Sequence, residues 1–293
     1  MNYLLDGMVA VILIVTMLVG YYRGFVRYVI SMLGTVVSVV LSLLIANALA
    51  QPVYERFVQQ PITQSIETAV SKMDVNSIVK NELENLGAGQ LVDDNDVEEI
   101  LTGAGTISEN LDSVLTTKGA DTATAEDISG KFNNWLSSDN VSKKITEVTG
   151  DENSVSAIMQ GVDFTREQID TTIKTIAQDK TSGAEYMEKN IVQPIAVPVV
   201  KVVLFFVCLI FLGLVIKLIL FVSGVFTKLP EISAANHFGG LALGCIKGLL
   251  YVALIAFMLC TVVNSTHDSL PTFNSEISES TYIFKYFFNF FYK

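Results

Sequence analysis

Histidine and cysteine are scarce in this chain of 293 residues, which has two of the first and three of the second. His237 and His267 sit far apart, one before and one after a long apolar run, so a histidine-based hydrolase or zinc centre is not expected. Cys208, Cys245 and Cys260 are odd in number and embedded in apolar sequence. They read as small packing residues rather than a disulfide framework. Charge is scarce too, at 17% Asp, Glu, Lys and Arg against 51% hydrophobic residues and a mean hydropathy of +0.47. That balance is too apolar for an ordinary soluble domain of this length and predicts a membrane protein.

The apolar residues are concentrated at the two ends. Tyr3 to Tyr22 contains one charge, Asp6, and Tyr28 to Ala50 contains none. Val202 to Ile216 is uncharged and continues past Lys217 to Phe226, while Phe238 to Val263 is interrupted only by Lys247. Each stretch approaches the ~20 residues a helix needs to cross a bilayer, and unbroken apolar runs suit helices rather than barrel strands. The expected fold class is therefore all-α: a four-transmembrane-helix bundle with a helical extracytoplasmic domain inserted between spans two and three. The expected divisions are a hairpin over 1–50, an acidic helical domain over 51–199, a second hairpin over 200–263 and an aromatic C-terminal segment over 264–293.

Orientation follows from the short loops. Arg23 and Arg27 are the only basic residues among the first fifty, and Lys228 lies between spans three and four with Lys217 and Lys247 near its flanks. Lysine and arginine in short loops stay on the cytoplasmic side. Both termini and residues 51–199 are then expected outside, in a multi-pass protein of the bacterial cytoplasmic membrane. Residues 51–199 hold 11 Lys and Arg against 25 Asp and Glu, a balance of −14 that also argues against a nucleic-acid partner. No basic region precedes the first apolar run, so it is expected to anchor rather than be cleaved. Ala48-Leu49-Ala50 has the form of a cleavage site, but its apolar region exceeds the roughly 7–15 residues of cleaved signals.

Small residues recur within the runs. Gly20 and Gly24 are one turn apart, and Gly240, Gly244 and Gly248 form a row beside Gly239, with Ser31, Thr35, Ser38 and Ser42 spaced similarly on span two. Such rows let helix backbones approach closely. Packing among the four helices is the expected use, with a homo-oligomer interface or a pore lining as alternatives. Intramembrane charges mark function most often, which singles out Lys247 and Asp6. For Lys247 the simpler expectation is snorkelling to the cytoplasmic headgroups, and for Asp6 placement at the interface.

The stretch "YYRGFVRYVISMLG" resembles the Arg-Gly-Phe-Val-Arg hairpin of the colicin V production protein family, and "NHFGGLALGCIKGLLYVALIAF" resembles that family's later glycine-spaced segment. Asp6 near the start of span one and the aromatic tail "SESTYIFKYFFNFFYK" are similar as well. The resemblance covers about the first 50 and last 95 residues. It implies a four-helix inner-membrane protein linked to toxin production or export and to envelope integrity, with no established chemical activity and no catalytic residue or cofactor to carry over. The matching positions are Asp6, Gly20, Arg23, Gly24, Arg27, Gly240, Gly244, Lys247 and Gly248. His237 stands where the family usually has Arg, and the middle segment is far longer than the connector of compact members. Implied partners are membrane lipid and membrane or envelope proteins. A small channel or transporter, or a membrane-anchored sensor or tether whose extracytoplasmic helical domain binds a cell-wall component or partner protein, are the alternatives.

The middle segment carries helical spacing at Ile62, Ile66, Ala69, Val70 and Met73, at Ile128, Phe132, Trp135 and Leu136, and at Ile169, Ile173 and Ile176. Thr106-Ile-Ser-Glu109 and Thr165-Arg-Glu-Gln168 have the form of capping boxes. Gly87-Ala-Gly89, Gly103-Ala-Gly105 and Gly150 punctuate, and Pro194 and Pro198 predict a bend before span three. "DDNDVEE" at 93–99 lacks the glycine and final glutamate of a calcium loop, so an acidic helix start is expected. Gly103-Ala-Gly105 lacks the strand and third glycine of a nucleotide site. In the last twelve residues, Phe284, Phe287, Phe288 and Phe291 form one helical face expected to lie in the outer interface.

Overall fold

A single residue, Gly24, separates the first two helices. Helix α1 spans Asn2–Arg23 and α2 spans Phe25–Val53. Gly24 takes φ 73°, a left-handed conformation that glycine adopts without steric penalty, and this reverses the chain in one step. Its N–H still bonds to the Gly20 carbonyl at 3.0 Å, and its carbonyl accepts from Tyr28 at 3.1 Å.

The computed structural model describes residues 2–137, 140, 165–222, 234–266 and 274–292. After a π-helical turn at Tyr54–Val58 come α3 (Gln59–Lys72), α4 (Val75–Asn85), α5 (Asp94–Thr102), α6 (Ile107–Thr117) and α7 (Thr122–Trp135). Then follow α8 (Arg166–Gln178), α9 (Lys180–Met187), a second π-helical turn at Glu188–Val192 and α10 (Gln193–Val222). The chain ends with α11 (Ala234–Ser265), α12 (Glu276–Ser280) and α13 (Phe284–Phe291). The described residues contain no strand. Four helical runs, within Leu4–Arg23, Phe25–Lys72, Lys180–Val222 and Ala235–Ser265, are long and apolar enough to cross a membrane. The expected bend at Pro198 does not break α10, which begins before it and runs through. Membrane helices tolerate proline because neighbouring groups take up the freed carbonyl.

The chain divides into two compact units, one of residues 1–54 with 195–293 and the other of residues 55–194. In the first, α11 packs along α1 and also meets α2 and α13. One apolar cluster joins Leu5 and Val9 of α1, Val252, Ala256 and Cys260 of α11, and Phe284 and Phe288 of α13. A second joins Ala46 of α2, Phe205 of α10 and Met258 of α11. On α10, Val203, Val207, Phe211 and Ile219 are exposed. Large apolar exposure of this kind suits contact with lipid, where helices associate by packing rather than by escape from water.

The second unit is built by its helix starts. Thr106 with Glu109 and Thr165 with Gln168 form reciprocal capping boxes, and so do Asp93 and Asp96, a pair outside the usual Ser/Thr–Glu/Gln pattern. Asp74, Asp121 and Asp179 cap α4, α7 and α9 with side-chain oxygens. Ile66, Val79, Leu83, Ile100, Leu111 and Phe132 fill the core. Polar side chains from α8 close the helix ends around it. Arg166 donates to the Asn133 and Leu136 carbonyls at 2.9 and 2.6 Å, Lys174 donates to those of Gly103 and Gly105, and Asp170 accepts from the Ile107 N–H at 2.7 Å. Gly87 ends α4 with φ 90°, Gly103 is the C-cap of α5, and Gly150 lies outside the described residues.

Asp93, Asp94 and Asp96 have partners within the protein, Asp94 pairing with Lys80 at 2.5 Å. Asp93 accepts from the Asn95 and Asp96 amides, while Asp96 accepts from the Asp93 amide and pairs with Lys118 at 2.7 Å. Among the described residues, no group of three or more His, Cys, Asp or Glu is arranged to hold a metal ion.

Candidate functional site

The start of α11 clasps the turn at Gly24. The Asn236 side chain accepts from the Val26 N–H at 3.3 Å, and a Cβ on Gly24 would lie 2.9 Å from Asn236 Cγ. His237 Nδ1 lies 2.7 Å from the Tyr21 carbonyl oxygen, so that nitrogen carries the proton and donates. The histidine thus serves the turn as a donor, a task that needs no guanidinium.

From this clasp the glycine row runs along α1. A Cβ on Gly240 would lie 2.9 Å from the Gly24 carbonyl carbon, on Gly244 2.8 Å from Met17 Cα, on Gly248 2.9 Å from Leu13 Cδ2, and on Gly20 3.2 Å from Gly244 Cα. Most of these neighbours are backbone, which cannot yield as a flexible side chain does. The row therefore holds α11 against α1 at a distance that side chains would prevent.

Lys247 sits between Gly244 and Gly248 in sequence but is directed towards α2. Its Nζ is 3.5 Å from Ser31 Oγ and lies 5.4 and 5.7 Å from the ring centroids of Tyr28 and Tyr251. The side chain is only 7% exposed, which corrects the expectation that it snorkels outwards. The two aromatic faces hold the ammonium where the aliphatic stem would otherwise have carried it to the headgroups. Tyr28 is itself buried and donates its hydroxyl to the Thr16 carbonyl at 3.3 Å.

Beside this group lies a cavity of about 810 Å³ between α2 and α10, lined also by Arg23 of α1 and Tyr251 of α11. Arg23, Arg27 and Lys217 line it, with the hydroxyls of Ser31, Thr35 and Ser38 on one wall. The opposite wall is apolar, and Gly213 faces open space there, while Gly34 lets Ile216 approach α2 closely. Thr35 and Ser38 donate back to the Ser31 and Gly34 carbonyls at 3.0 and 2.9 Å, so these hydroxyls offer lone pairs to the cavity. Ser31 accepts from Lys247 and retains its own proton for donation. Arg27 Nε is buried without a hydrogen-bond partner among the described residues. Among the described residues no acidic side chain lines the cavity. These residues form a set of cations with no counter-ion among them, which is costly at low dielectric and favours an anion.

Asp6 lies elsewhere. It precedes Arg23 by seventeen helical residues, about 26 Å at 1.5 Å per residue. Its Oδ2 accepts from the Tyr282 N–H at 2.7 Å, and its Oδ1 from those of Ile283 and Phe284, each at 2.9 Å. The carboxylate caps α13 from another helix, a role in addition to the expected placement at the interface. The phenylalanine face of α13 is likewise turned to protein. Phe284 and Phe288 are fully buried, with Phe287 and Phe291 packed beside them, while Tyr286 and Phe290 face outwards. Sequence reasoning gave no role to Tyr28, Tyr251 or Asn236; an amide next to an aromatic and two glycines was the available signal for Asn236.

A likeness to a known family lies on α1, α2 and α3. Residues 5–73 match the family model described as colicin V production protein. The match takes in Asp6, Gly20, Arg23, Gly24 and Arg27, and also Ser31, Thr35 and Ser38 of the cavity wall. The glycine row of α11 and Lys247 lie beyond it. The colicin V production family is not known as a family of enzymes. No curated protein and no solved structure matches the chain.

Proposed function

We propose that this protein is a multi-pass component of the bacterial cytoplasmic membrane that supports toxin production and export or envelope homeostasis by binding and protein contact, without catalysing a reaction. The observation that carries the reading is that the segment similar to the colicin V production family supplies two of the three cations, and the hydroxyl wall, of the cavity. Orientation joins the proposal through charge. Arg23, Arg27, Lys217 and Lys247 gather at one end of the membrane unit, and basic residues flanking short loops are retained in the cytoplasm. Both termini and residues 51–199 are then extracytoplasmic, where the acidic helical unit recognises an envelope partner.

A deletion strain tests this when complemented with the full chain, with a chain lacking residues 55–190, or with Lys247→Ala. Detergent resistance and secretion restored only by the full chain are the expected outcome. A deletion without phenotype in either measurement refutes the reading. The cavity beside a buried lysine also favours a channel or transporter as second reading, for which ion flux through purified protein in liposomes is the discriminating measurement.

A further inference from the structure

We propose that the cavity between α2 and α10 is a binding site for the phosphate group of an anionic lipid, with Arg23, Arg27 and Lys217 as its ligands and Lys247 as the charge behind them. The inference goes beyond the proposed role in export or homeostasis and shares with it only the membrane placement.

Three features select this ligand. The first is charge: three cations line the cavity, a fourth lies within 3.5 Å of its Ser31 wall, and among the described residues no carboxylate lines it. Among the described residues of this unit the acids are Asp6, Glu276 and Glu279, and Asp6 binds the amides of α13. Basic pockets between transmembrane helices are suited to lipid head groups. The second is an unmet donor. Arg27 Nε is buried and has no partner among the described residues, although the guanidinium is built to give paired hydrogen bonds to phosphate oxygens. Ser31 adds a hydroxyl proton on the same wall. The third is the remainder of the cavity. From Lys217 the wall continues over Leu209, Ile210 and Leu214 of α10, and Gly213 faces open space, with nothing within 4 Å of a Cβ placed there. A free anion would use only the cationic end, whereas a phosphate on an acyl chain fits both.

The test uses the purified full-length protein in maltoside micelles and measures retention of fluorescent phosphatidylglycerol and phosphatidylcholine. Inorganic phosphate serves as competitor. Phosphatidylglycerol should bind at least about tenfold more tightly than phosphatidylcholine, and Arg27→Gln or Lys217→Gln should each weaken it by about tenfold or more. Lys201→Gln on the same helix should change nothing, because it lies sixteen residues, about 24 Å, from Lys217. Gly213→Leu enters open space and should fold normally, yet it should weaken lipid binding by filling the chain channel. It therefore keeps the test decisive should an arginine variant fail to fold. Equal retention of the two lipids overturns the proposal, as does unchanged binding in Arg27→Gln. Saturable competition by inorganic phosphate, with Gly213→Leu without effect, would assign the cavity to a free anion and overturn the lipid assignment. These outcomes are independent of the deletion phenotype, so either conclusion can fail alone.

Discussion

Replacing Asp6 should release the C-terminal helix from the membrane unit. The first amides of any helix lack partners within it, and here one carboxylate on another helix takes the three N–H groups of Tyr282, Ile283 and Phe284. Loss of an N-cap costs about 0.5–2 kcal/mol, and bonds to a charged acceptor lie higher, at about 1.5–3 kcal/mol each. The three bonds share one partly exposed carboxylate, so their sum is discounted, and about 2 kcal/mol is expected for Asp6→Ala. That corresponds to roughly thirtyfold more opening of α13. Amide hydrogen exchange in detergent reads this directly at residues 282–284. Asp6→Asn gives a sharper result. The single amide oxygen can keep the two donors now on Oδ1, Ile283 and Phe284, while the amide NH₂ group has nothing to accept from Tyr282. Exchange should rise at Tyr282 and stay near wild type at Phe284. Unchanged protection in Asp6→Ala, or equal loss at all three amides in Asp6→Asn, would refute the capping argument.

Other expected outcomes follow from the same geometry. Gly244→Leu places a side chain where even a Cβ lies 2.8 Å from Met17 Cα, so it should destabilise by at least about 1–3 kcal/mol and lower the folded yield in detergent; Leu250→Ala should be milder, and equal tolerance would remove the close-crossing account. In the second unit, Asp93 is held below its ordinary value of 3.8 by the Asp96 N–H, Asp121 by that of Thr124, and Glu109 below 4.5 by that of Thr106. Carboxyls lowered by folding contribute fully at neutral pH and lose that contribution as pH falls through and below the ordinary carboxylate range, so fluorescence of Trp135, stacked on Phe132, should report unfolding on the acid side of about pH 4. A transition centred near pH 6 would assign acid sensitivity to other groups. For orientation, a cysteine replacing Tyr22 in a cysteine-free chain should resist an impermeant thiol reagent in intact cells while one replacing Ser137 reacts; the reverse pattern inverts the proposed topology.

Local signals in the sequence were the readable ones. The Thr106 and Thr165 capping boxes, the helical spacing of Ile66, Val70 and Met73, and four apolar runs all depend on residues within a few turns of each other, and each corresponds to an observed helix. The Asp93–Asp96 box was legible in principle, since aspartate caps as well as serine, but it lies outside the Ser/Thr–Glu/Gln pattern. Asp6 was not legible as a cap, because its partners are more than 270 residues away and are backbone amides, which carry no side-chain signature. Lys247 was misread for a related reason. Snorkelling is the default for a lone lysine in an apolar helix, and it is overridden here by Tyr28 and Ser31, residues of another helix.

The glycine row and the cavity are two consequences of one packing choice. Because Gly240, Gly244 and Gly248 draw α11 onto α1, α11 turns its Lys247 and Tyr251 sides towards α2 and α10, where side chains keep the helices further apart. The cavity is the space left on that side, and Lys247 reaches Ser31 only while Gly244 and Gly248 remain seated against Thr16, Met17 and Leu13. A side chain added to the row should therefore act on both features. Gly248→Ala places a methyl group against the Thr16 hydroxyl and the end of Leu13, side-chain atoms that can yield, so the fold should survive with α11 pushed away from α1. Lys247 would then shift relative to Ser31 and the Tyr28 ring, and retention of phosphatidylglycerol should change although no cavity-lining residue has been altered. Wild-type retention in a folded Gly248→Ala protein would show that crossing and cavity are independent, and would leave the cations of α2 and α10 as the whole of the site.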